Sequence, residues 1–447
     1  MIKIAFMGAG SWVFAKNVLG DCIITPELED LHLYLYDINA KRLDESRQMM
    51  ENIARNAGRK DVKIVATMDM HEALDKAGYV VNAIQVGGYD PCTITDFEVP
   101  KKYGLRQTIA DTLGIGGIFR AMRTIPHMEA FARKMEEVCP DAIFMSYTNP
   151  CAMVSGYIQQ YTSIQTVGLC HSAHNAANNL LAPLGIPDED CIWEVAGINH
   201  QAWLLRVEDK DGNDLYPEAK KRSKEWLAGK TFEPTSRARA EYPDMDRVRH
   251  EIMHRFGYYV TESSEHNAEY NPWFIKPTHP ELIDKYKIPL DEYIRRCINQ
   301  NADWDKTVAE LTDTELKHEY SAEYAAKIIK ARETDVPYRF HGNVLNTGGL
   351  ISNLPRKACV EVPCFVDRAG IHPTYVGDLP EQCAALNRTN INTQLLTIEG
   401  VHERSKDKIY LAAMMDPHTG AQLSIDEIVA MCDDLFEAHK DWLPEYK

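Results

Sequence analysis

The chain has 447 residues, of which 45% are hydrophobic and 26% charged, an ordinary globular composition that excludes a disordered chain, a collagen-like repeat and a coiled coil. Its 49 basic and 66 acidic residues give a formal charge of −17, which argues against a nucleic-acid partner because nonspecific affinity for nucleic acid comes from cations on phosphates. Short apolar runs, eleven scattered cysteines without a CxxC pair and an N-terminus without a signal-peptide pattern predict a reduced, cytoplasmic protein with no membrane partner.

The first half of the chain alternates short apolar runs with amphipathic stretches, a pattern typical of a doubly wound parallel sheet. Right-handed crossovers through the intervening helices are the simplest way to connect such strands. We predict strands over residues 2–7, 31–36, 62–66, 79–84, 142–147 and 165–169, and helices over 40–57, 118–138 and 152–161.

The alternation stops near residue 195. Residues 201–208 predict a strand, and the Asp-Gly and Asn-Asp dipeptides that follow it favour a hairpin. We therefore predict an α/β protein with a Rossmann-like doubly wound domain over residues 1–195 and a second, mixed α+β domain over 196–447. In this second domain we expect helices within 218–255 and 290–331 and from 379 onward, and irregular strands within 344–376.

A glycine turn, Gly8-Ala9-Gly10-Ser11, directly follows the first predicted strand. Glycines in this position let the backbone approach a pyrophosphate, and the next helix offers its N-terminal N–H groups to the negative charge. Val13 replaces the third glycine of the dinucleotide fingerprint, so a turn without a cofactor is the alternative. Asp37 follows the second predicted strand and suits a ribose, which favours NAD over NADP because a carboxylate would repel a 2′-phosphate.

Cys170 and His200 are candidates for a metal site. Cys170 ends a predicted strand, and His200 ends the segment Gly197-Ile198-Asn199-His200. Strand ends in a doubly wound sheet face the ligand crevice, and a thiolate with an imidazole can hold one divalent metal while leaving positions open for substrate oxygens. The alternative is an inert buried cysteine and a histidine with ordinary hydrogen bonds.

Two further segments are dense in polar groups. Residues 109–118 combine Asp111 with several glycines and precede Arg120, which suits an anionic or polyhydroxylated ligand, or only a capped helix start. Residues 262–270 contain carboxylate, imidazole and phenol groups, which suit an active site, although a structural network of ion pairs would produce the same density.

Taken together, these motifs resemble glycoside hydrolase family 4 over nearly the whole chain. Within the family the chain is most similar to the bacterial α-galactosidases of the melibiase type, which share the Cys170-His171-Ser172 signature. His171 argues against a 6-phosphoglycoside substrate, because the phospho-sugar members have Asp or Asn there. Two positions depart from the pattern, Ala173 and Trp12, and Trp12 is expected close to the nicotinamide side of the crevice, where it could alter the sugar pocket. The motifs that carry the resemblance are Gly8-Ala9-Gly10-Ser11, Gly87-Gly88-Tyr89, Asp111-Thr112-Leu113-Gly114, Thr148-Asn149-Pro150, Cys170-His171-Ser172, Gly197-Ile198-Asn199-His200, Ser263-Ser264-Glu265-His266, Asn390-Ile391-Asn392 and Met414-Met415-Asp416-Pro417-His418.

The resemblance implies a hydrolase that needs NAD and a divalent metal, typically Mn²⁺. It would cleave an α-galactoside by transient oxidation at C3, elimination across C1 and C2, and addition of water. Cys170 and His200 would hold the metal, and the family's usual assembly implies a homodimer or homotetramer. The residues expected to bind NAD are Gly8, Ala9, Gly10, Ser11, Asp37, Gln85 and Asn149.

The resemblance also implies roles in proton transfer. The base that removes the C2 proton would be His266 or Tyr270, and the sequence does not separate them. The acid toward the leaving oxygen would be His171, with Asp111 as the alternative, since a histidine can donate or accept a proton near neutral pH. The side chains expected to bind sugar hydroxyls are Asn149, Arg120 and Glu265.

Other functions stay open at this point. Within the family, an α-galacturonidase or an α-glucosidase is the alternative. From another class, an NAD-dependent dehydrogenase of sugars or hydroxy acids would accumulate NADH, whereas the glycosidase would not. A cofactor-binding regulatory protein would keep the glycine turn without needing Cys170 and His200 together.

Overall fold

In the computed structural model, which describes residues 1–235, 246–313 and 316–447, one mixed sheet of twelve strands runs through the described part of the chain. Its order is β3-β2-β1-β4-β5-β6-β10-β11-β7-β8-β9, with β12 paired to β11. The strands are β1 Ile2–Met7, β2 Leu31–Tyr36, β3 Lys63–Thr67, β4 Tyr79–Asn82, β5 Ile143–Ser146, β6 Thr166–Gly168, β7 Ile192–Ile198, β8 Gln201–Glu208, β9 Tyr259–Val260, β10 Tyr338–Leu345, β11 Cys359–Asp367 and β12 Gly370–Pro373.

The six strands of the N-terminal half pair in parallel, which confirms the predicted Rossmann-like sheet. β4 and β5 are buried along their whole length, and this explains why they read as continuous apolar runs in the sequence. β2 alternates buried and half-buried residues because it lies nearer the edge of the sheet.

Helices cover both faces of the sheet. The N-terminus of the second helix is capped by Asn39, whose side chain accepts a hydrogen bond from the Arg42 N–H at 3.1 Å. The helices are α1 Trp12–Ile24, α2 Ala40–Asn56, α3 Met70–Leu74, α4 Ile94–Lys101, α5 Gly114–Val138, α6 Cys151–Tyr161, α7 Ser172–Leu181, α8 Tyr216–Leu227, α9 Arg247–Phe256, α10 Ser264–Glu269, α11 Glu281–Tyr286, α12 Glu292–Ala302, α13 Trp304–Asp313, α14 Ala325–Thr334, α15 Glu381–Glu403, α16 Lys406–Met415, α17 Pro417–Gly420 and α18 Ile425–Ala438.

The strands of the C-terminal half extend the same sheet. β10 pairs antiparallel to β6 at Gly168 and Asn343, and β11, β7, β8 and β9 follow. A Cβ atom on Gly168 would lie 2.6 Å from the Cys151 sulfur, so glycine keeps this junction closed. β7 spans residue 195, and the division into two domains there stays a prediction.

The hairpin predicted after β8 is wrong. Asp209 follows β8, and its side chain accepts hydrogen bonds from the N–H groups of Asp211 and Asn213. This turn closes with one antiparallel bridge between Glu208 and Asp214, and the chain then enters α8 instead of a second strand. Local hydrogen bonds from the aspartate therefore form the turn, but no second strand follows.

The core lies in layers on the two faces of the sheet. Alternate residues of β1 enter different layers: Ile4 and Phe6 pack against α1 and α2, whereas Ala5 and Met7 pack against α5. Across the described ranges, no helix combines the length and apolar composition that a membrane span requires. The eleven cysteines are all free.

A buried ionic network joins α4, α5 and the residue after α18. Arg123 donates to both carboxylate oxygens of Asp96, and His439 Nε2 lies 2.9 Å from Asp96 Oδ1. The three side chains are at most 2% exposed. Arg123 Nε also donates to the Val86 carbonyl at 3.2 Å, so the network supports the loop after β4.

We expect Asp96→Ala to lower the free energy of unfolding by about 3–5 kcal/mol, because it leaves a buried guanidinium without its partner. Asp44→Ala is the control, since Asp44 pairs with Arg47 at the surface and its loss should cost at most about 1 kcal/mol. Urea unfolding measures both values. Equal effects of the two substitutions would contradict a stabilising role for the buried network.

Candidate active site

The glycine turn between β1 and α1 is held by Asp37. Gly10 N donates to Asp37 Oδ2 at 2.7 Å, and Asn39 N donates to Oδ1 at 2.8 Å. Gly8 has φ +88°, and a Cβ atom there would lie 2.9 Å from Ile84 Cγ2. The structure thus brings Gly8, Ala9, Gly10 and Ser11 beside Asp37 at the C-terminal edge of the parallel strands.

The other two residues predicted to bind the cofactor follow neighbouring strands. Gln85, after β4, is exposed and donates to Thr93 Oγ1 at 3.3 Å. Asn149, after β5, donates from Nδ2 to Asp111 Oδ2 at 3.0 Å. Since β4 and β5 are adjacent and parallel, both residues lie at the edge where the glycine turn lies.

Cys170, His200 and Glu262 converge on one position. They follow β6, β7 and β9 respectively, and their ligand atoms all lie within 4.8 Å of one another. Glu262 Oε2 is 4.0 Å from Cys170 Sγ and 3.4 Å from His200 Nε2. The structure therefore brings the two predicted ligands together and adds a third, which sequence reasoning did not single out.

This donor set fits a divalent cation. Burial would raise the pKa of Glu262, but His200, His266 and Arg249 lower it to about 2, so the carboxylate is charged. Burial, with the negative charge of Glu262, raises the pKa of the Cys170 thiol well above its ordinary value. A cation at this position would balance both acids, and metal binding would release the thiol proton.

Both candidates for the C2 base lie next to His200. Tyr270 is fully buried, and its hydroxyl lies 3.2 Å from His200 Nδ1 and hydrogen bonds to Thr112. His266 stands with its ring centroid 4.6 Å from that of His200, and its Nδ1 is 3.5 Å from Thr112 Oγ1. Burial lowers the pKa of His266 and raises that of Tyr270. Because the Tyr270 hydroxyl contacts Nδ1 of His200, the other ring nitrogen, Nε2, faces Cys170 and Glu262.

Asp111, Asn149 and Arg120 form a second polar cluster. Besides accepting from Asn149, Asp111 has Oδ1 buried without a hydrogen-bond partner among the described residues. Arg120 Nε donates to the Asn149 carbonyl at 3.3 Å, and its guanidinium lies 5.7 Å from the Tyr293 ring centroid. The orphaned carboxylate oxygen is free to accept a hydrogen bond from a ligand.

A cavity of about 460 Å³ adjoins the metal position through Glu262. His171 lines it, with Nε2 2.8 Å from Glu323 Oε1. Glu265 also lines it and accepts a hydrogen bond from Arg296 at 2.8 Å. Asp111, Asn149 and Arg120 are not among the lining residues, so the structure separates Glu265 from the other two residues predicted to bind sugar.

The expectation for Trp12 is wrong. Its side chain lines a small separate cavity with Gly10 and Arg42, and its ring centroid lies 6.1 Å from that of Trp304. Val13 and Phe14 line the large cavity instead. The departure at residue 12 therefore leaves the cavity wall unchanged.

Comparison with known sequences identifies the class. Residues 3–186 match the model described as "Family 4 glycosyl hydrolase", and residues 195–419 match the C-terminal domain of that family. The chain is 56% identical to an α-galactosidase of Bacillus subtilis (strain 168), with 100% of both chains aligned. It is 33% identical to an α-galactosidase of Rhizobium meliloti (strain 1021), over 99% of this chain and 89% of that one. The chain belongs to glycoside hydrolase family 4.

A solved structure shares the whole architecture. It is a 6-phospho-α-glucosidase from gut microorganisms in complex with NAD and Mn²⁺, with a TM-score of 0.78, 21% identity and coverage of 100% of both chains. At this identity the likeness shows the fold.

We expect Glu262→Gln to weaken Mn²⁺ binding at least about tenfold, because a neutral amide replaces a charged ligand. Glu323→Gln is the control, since Glu323 lines the same cavity but contacts His171 rather than Cys170 or His200. Titration of Mn²⁺ followed by electron paramagnetic resonance measures both affinities. Unchanged affinity in Glu262→Gln would remove Glu262 from the ligand set.

Glu361 is a further buried carboxyl near the metal position. It lies on β11 without solvent exposure, and Asn343 donates to its Oε1 at 3.4 Å. Burial raises the pKa of Glu361 to about 8, although His200 and Asn343 oppose the shift. The folded protein thus holds this proton more tightly than the unfolded chain does.

The stability that Glu361 contributes is complete below its unfolded pKa of about 4.5 and is lost as the pH rises toward 8. Between pH 5 and pH 8, we expect the metal-free wild type to lose about 1 kcal/mol or more of unfolding free energy relative to Glu361→Gln. Urea unfolding at both pH values measures this difference, with the surface variant Glu98→Gln as the control. Parallel pH dependence in wild type and Glu361→Gln would contradict the shifted pKa.

Proposed function

We propose that this protein is an α-galactosidase that requires NAD and a divalent metal, with Mn²⁺ as the expected ion. The observation that carries the proposal is the convergence of Cys170, His200 and Glu262 in a Rossmann-like fold whose first parallel strand ends in a glycine turn held by Asp37. The 56% identity to an α-galactosidase over the whole length supports the choice of sugar.

The chain supplies two binding sites for this chemistry. When bound, NAD supplies a hydride acceptor for C3 of the sugar, and the divalent cation supplies positive charge for its C2 and C3 oxygens. Cys170, His200 and Glu262 would hold the cation. The N–H groups after β1 would bind the cofactor phosphates, and Asp37 would accept hydrogen bonds from the adenosine ribose.

Two positions carry out proton transfer in this proposal, a base for the C2 proton and an acid for the leaving oxygen. A carbonyl at C3 acidifies the C2 proton, and either Tyr270 or His266 removes it, since both stand against His200. His171 is the acid toward the leaving oxygen, and its ion pair with Glu323 fixes the imidazole at the cavity wall. Asp111 stays the alternative acid, because Oδ1 has no partner among the described residues.

The charges of the cavity favour a neutral sugar over a uronate. Arg249 is paired with Asp246, and Arg296 with Glu265 and Glu292. Carboxylates therefore outnumber guanidinium groups along the described wall, and both guanidinium groups already form ion pairs with carboxylates. The carboxylates that line it are Asp246, Glu262, Glu265 and Glu323, and the arginines are Arg249 and Arg296.

The test is a panel of 4-nitrophenyl glycosides assayed with NAD, Mn²⁺ and a reductant. We expect the α-galactoside to be the best substrate, ahead of the α-glucoside and the α-galacturonide. Removal of NAD or chelation of metal should abolish activity, adding both back should restore it, and solvent deuterium should appear at C2 of the product.

Two results of this panel would overturn the proposal. Full activity without NAD and metal would exclude the redox route. Accumulation of NADH in proportion to the substrate consumed would identify a dehydrogenase, because the glycosidase returns the hydride in every cycle.

A further inference from the structure

The cavity extends well beyond the metal position along one face of α7. His171, Asn175, Asn178 and Asn179 line it, with the spacing i, i+4, i+7 and i+8 of a single helix face. At 1.5 Å per residue, these positions span about 12 Å. A single pyranose ring is shorter than this, so the cavity has room for a group beyond the sugar that reacts.

The wall beyond α7 is aromatic and apolar. Trp226, on α8, lines the cavity with Pro183, Leu184 and His250. The Trp226 and His250 ring centroids lie 4.9 Å apart, and the Arg247 guanidinium lies 5.3 Å from the Trp226 ring. Burial lowers the pKa of His250 to about 4, so its ring is neutral. Trp226, Pro183 and Leu184 thus give this wall an apolar part that suits the apolar face of a ligand.

Two residues of the cavity wall carry a buried polar atom without a partner among the described residues. Arg249 Nη1 and Ser263 Oγ are inaccessible to solvent and have no hydrogen-bond partner among the described residues. Only 7% of the Arg249 surface is exposed. Buried polar atoms of this kind are usually satisfied by a ligand or an ordered water. Arg249 and Ser263 line the cavity together with the asparagines of α7, so polar side chains suited to hydroxyl groups lie beside the apolar part of its wall.

We propose that this part of the cavity is a second sugar subsite, which binds the leaving sugar of an oligosaccharide against Trp226. A pyranose has apolar C–H faces and a rim of hydroxyls, and the site pairs an aromatic wall with Asn179, Arg249 and Ser263 in the same way. The inference rests on the proposed function, because His171 is the acid beside the departing oxygen and the cavity continues from it.

The experiment compares melibiose, whose leaving group is a sugar, with α-galactosyl fluoride, whose leaving group is one atom. In Trp226→Ala, we expect the ratio of kcat/KM for melibiose to that for the fluoride to fall about tenfold, mainly through KM. Trp193→Ala is the matched control, since Trp193 is also half-buried but lies outside the cavity lining. Asn179→Ala should lower the same ratio with a smaller change in packing.

The outcomes separate the subsite from the function. If the ratio is unchanged in both Trp226→Ala and Asn179→Ala, the second subsite is wrong while the α-galactosidase stands. If Trp193→Ala lowers the ratio equally, the effect is a general one and the subsite is also wrong. If the wild type cleaves neither substrate with NAD and Mn²⁺ present, the proposed function itself fails.

Discussion

The candidate active site is built around two acids and an imidazole that meet at one partly buried position. The Glu262 carboxylate, whose pKa is lowered, the half-buried Cys170 thiol and the His200 imidazole have ligand atoms within 4.8 Å of one another. Without a cation, the thiol keeps its proton, because burial and the neighbouring carboxylate disfavour the thiolate. The same three groups would hold a divalent cation, and the cation would supply positive charge for sugar oxygens.

The continuity of the sheet creates this arrangement. Cys170 follows the last parallel strand, whereas His200 and Glu262 follow strands of the antiparallel extension. β10 and β11 lie between those strands and fix their separation. The three candidate ligands therefore come from both halves of the chain, and the continuous sheet holds them together. Neither half alone contains the site.

Much of this was predictable from the sequence. The parallel strands are short, apolar and separated by clear helices, so their bounds agree with prediction to within about two residues. Cys170 and His200 were candidates from the sequence, Cys170 because it ends a strand and both because of the family resemblance, and the structure brings their side chains together. Glu262 was not, because β9 has only two residues and gives no periodic signal, and because several acids lie close to it in sequence. The carboxylate that faces the metal is set by long-range pairing of β8 with β9.

Other misses have similar physical causes. The orientation of the Trp12 side chain depends on its contact with Trp304 of α13, a helix that is distant in sequence. The sequence shows that the asparagines of α7 lie on one helix face, but it does not show that residues of α8 and α9 line the same cavity. Patterns within one element were thus predictable, whereas contacts between distant elements required the structure.

The most direct measurement is anomalous diffraction from crystals grown with NAD and Mn²⁺. We expect one manganese peak within about 2.0–2.6 Å of Cys170 Sγ, His200 Nε2 and a Glu262 carboxylate oxygen, with NAD along the glycine turn. A manganese peak elsewhere, or a nucleotide far from Cys170 and His200, would contradict this expectation.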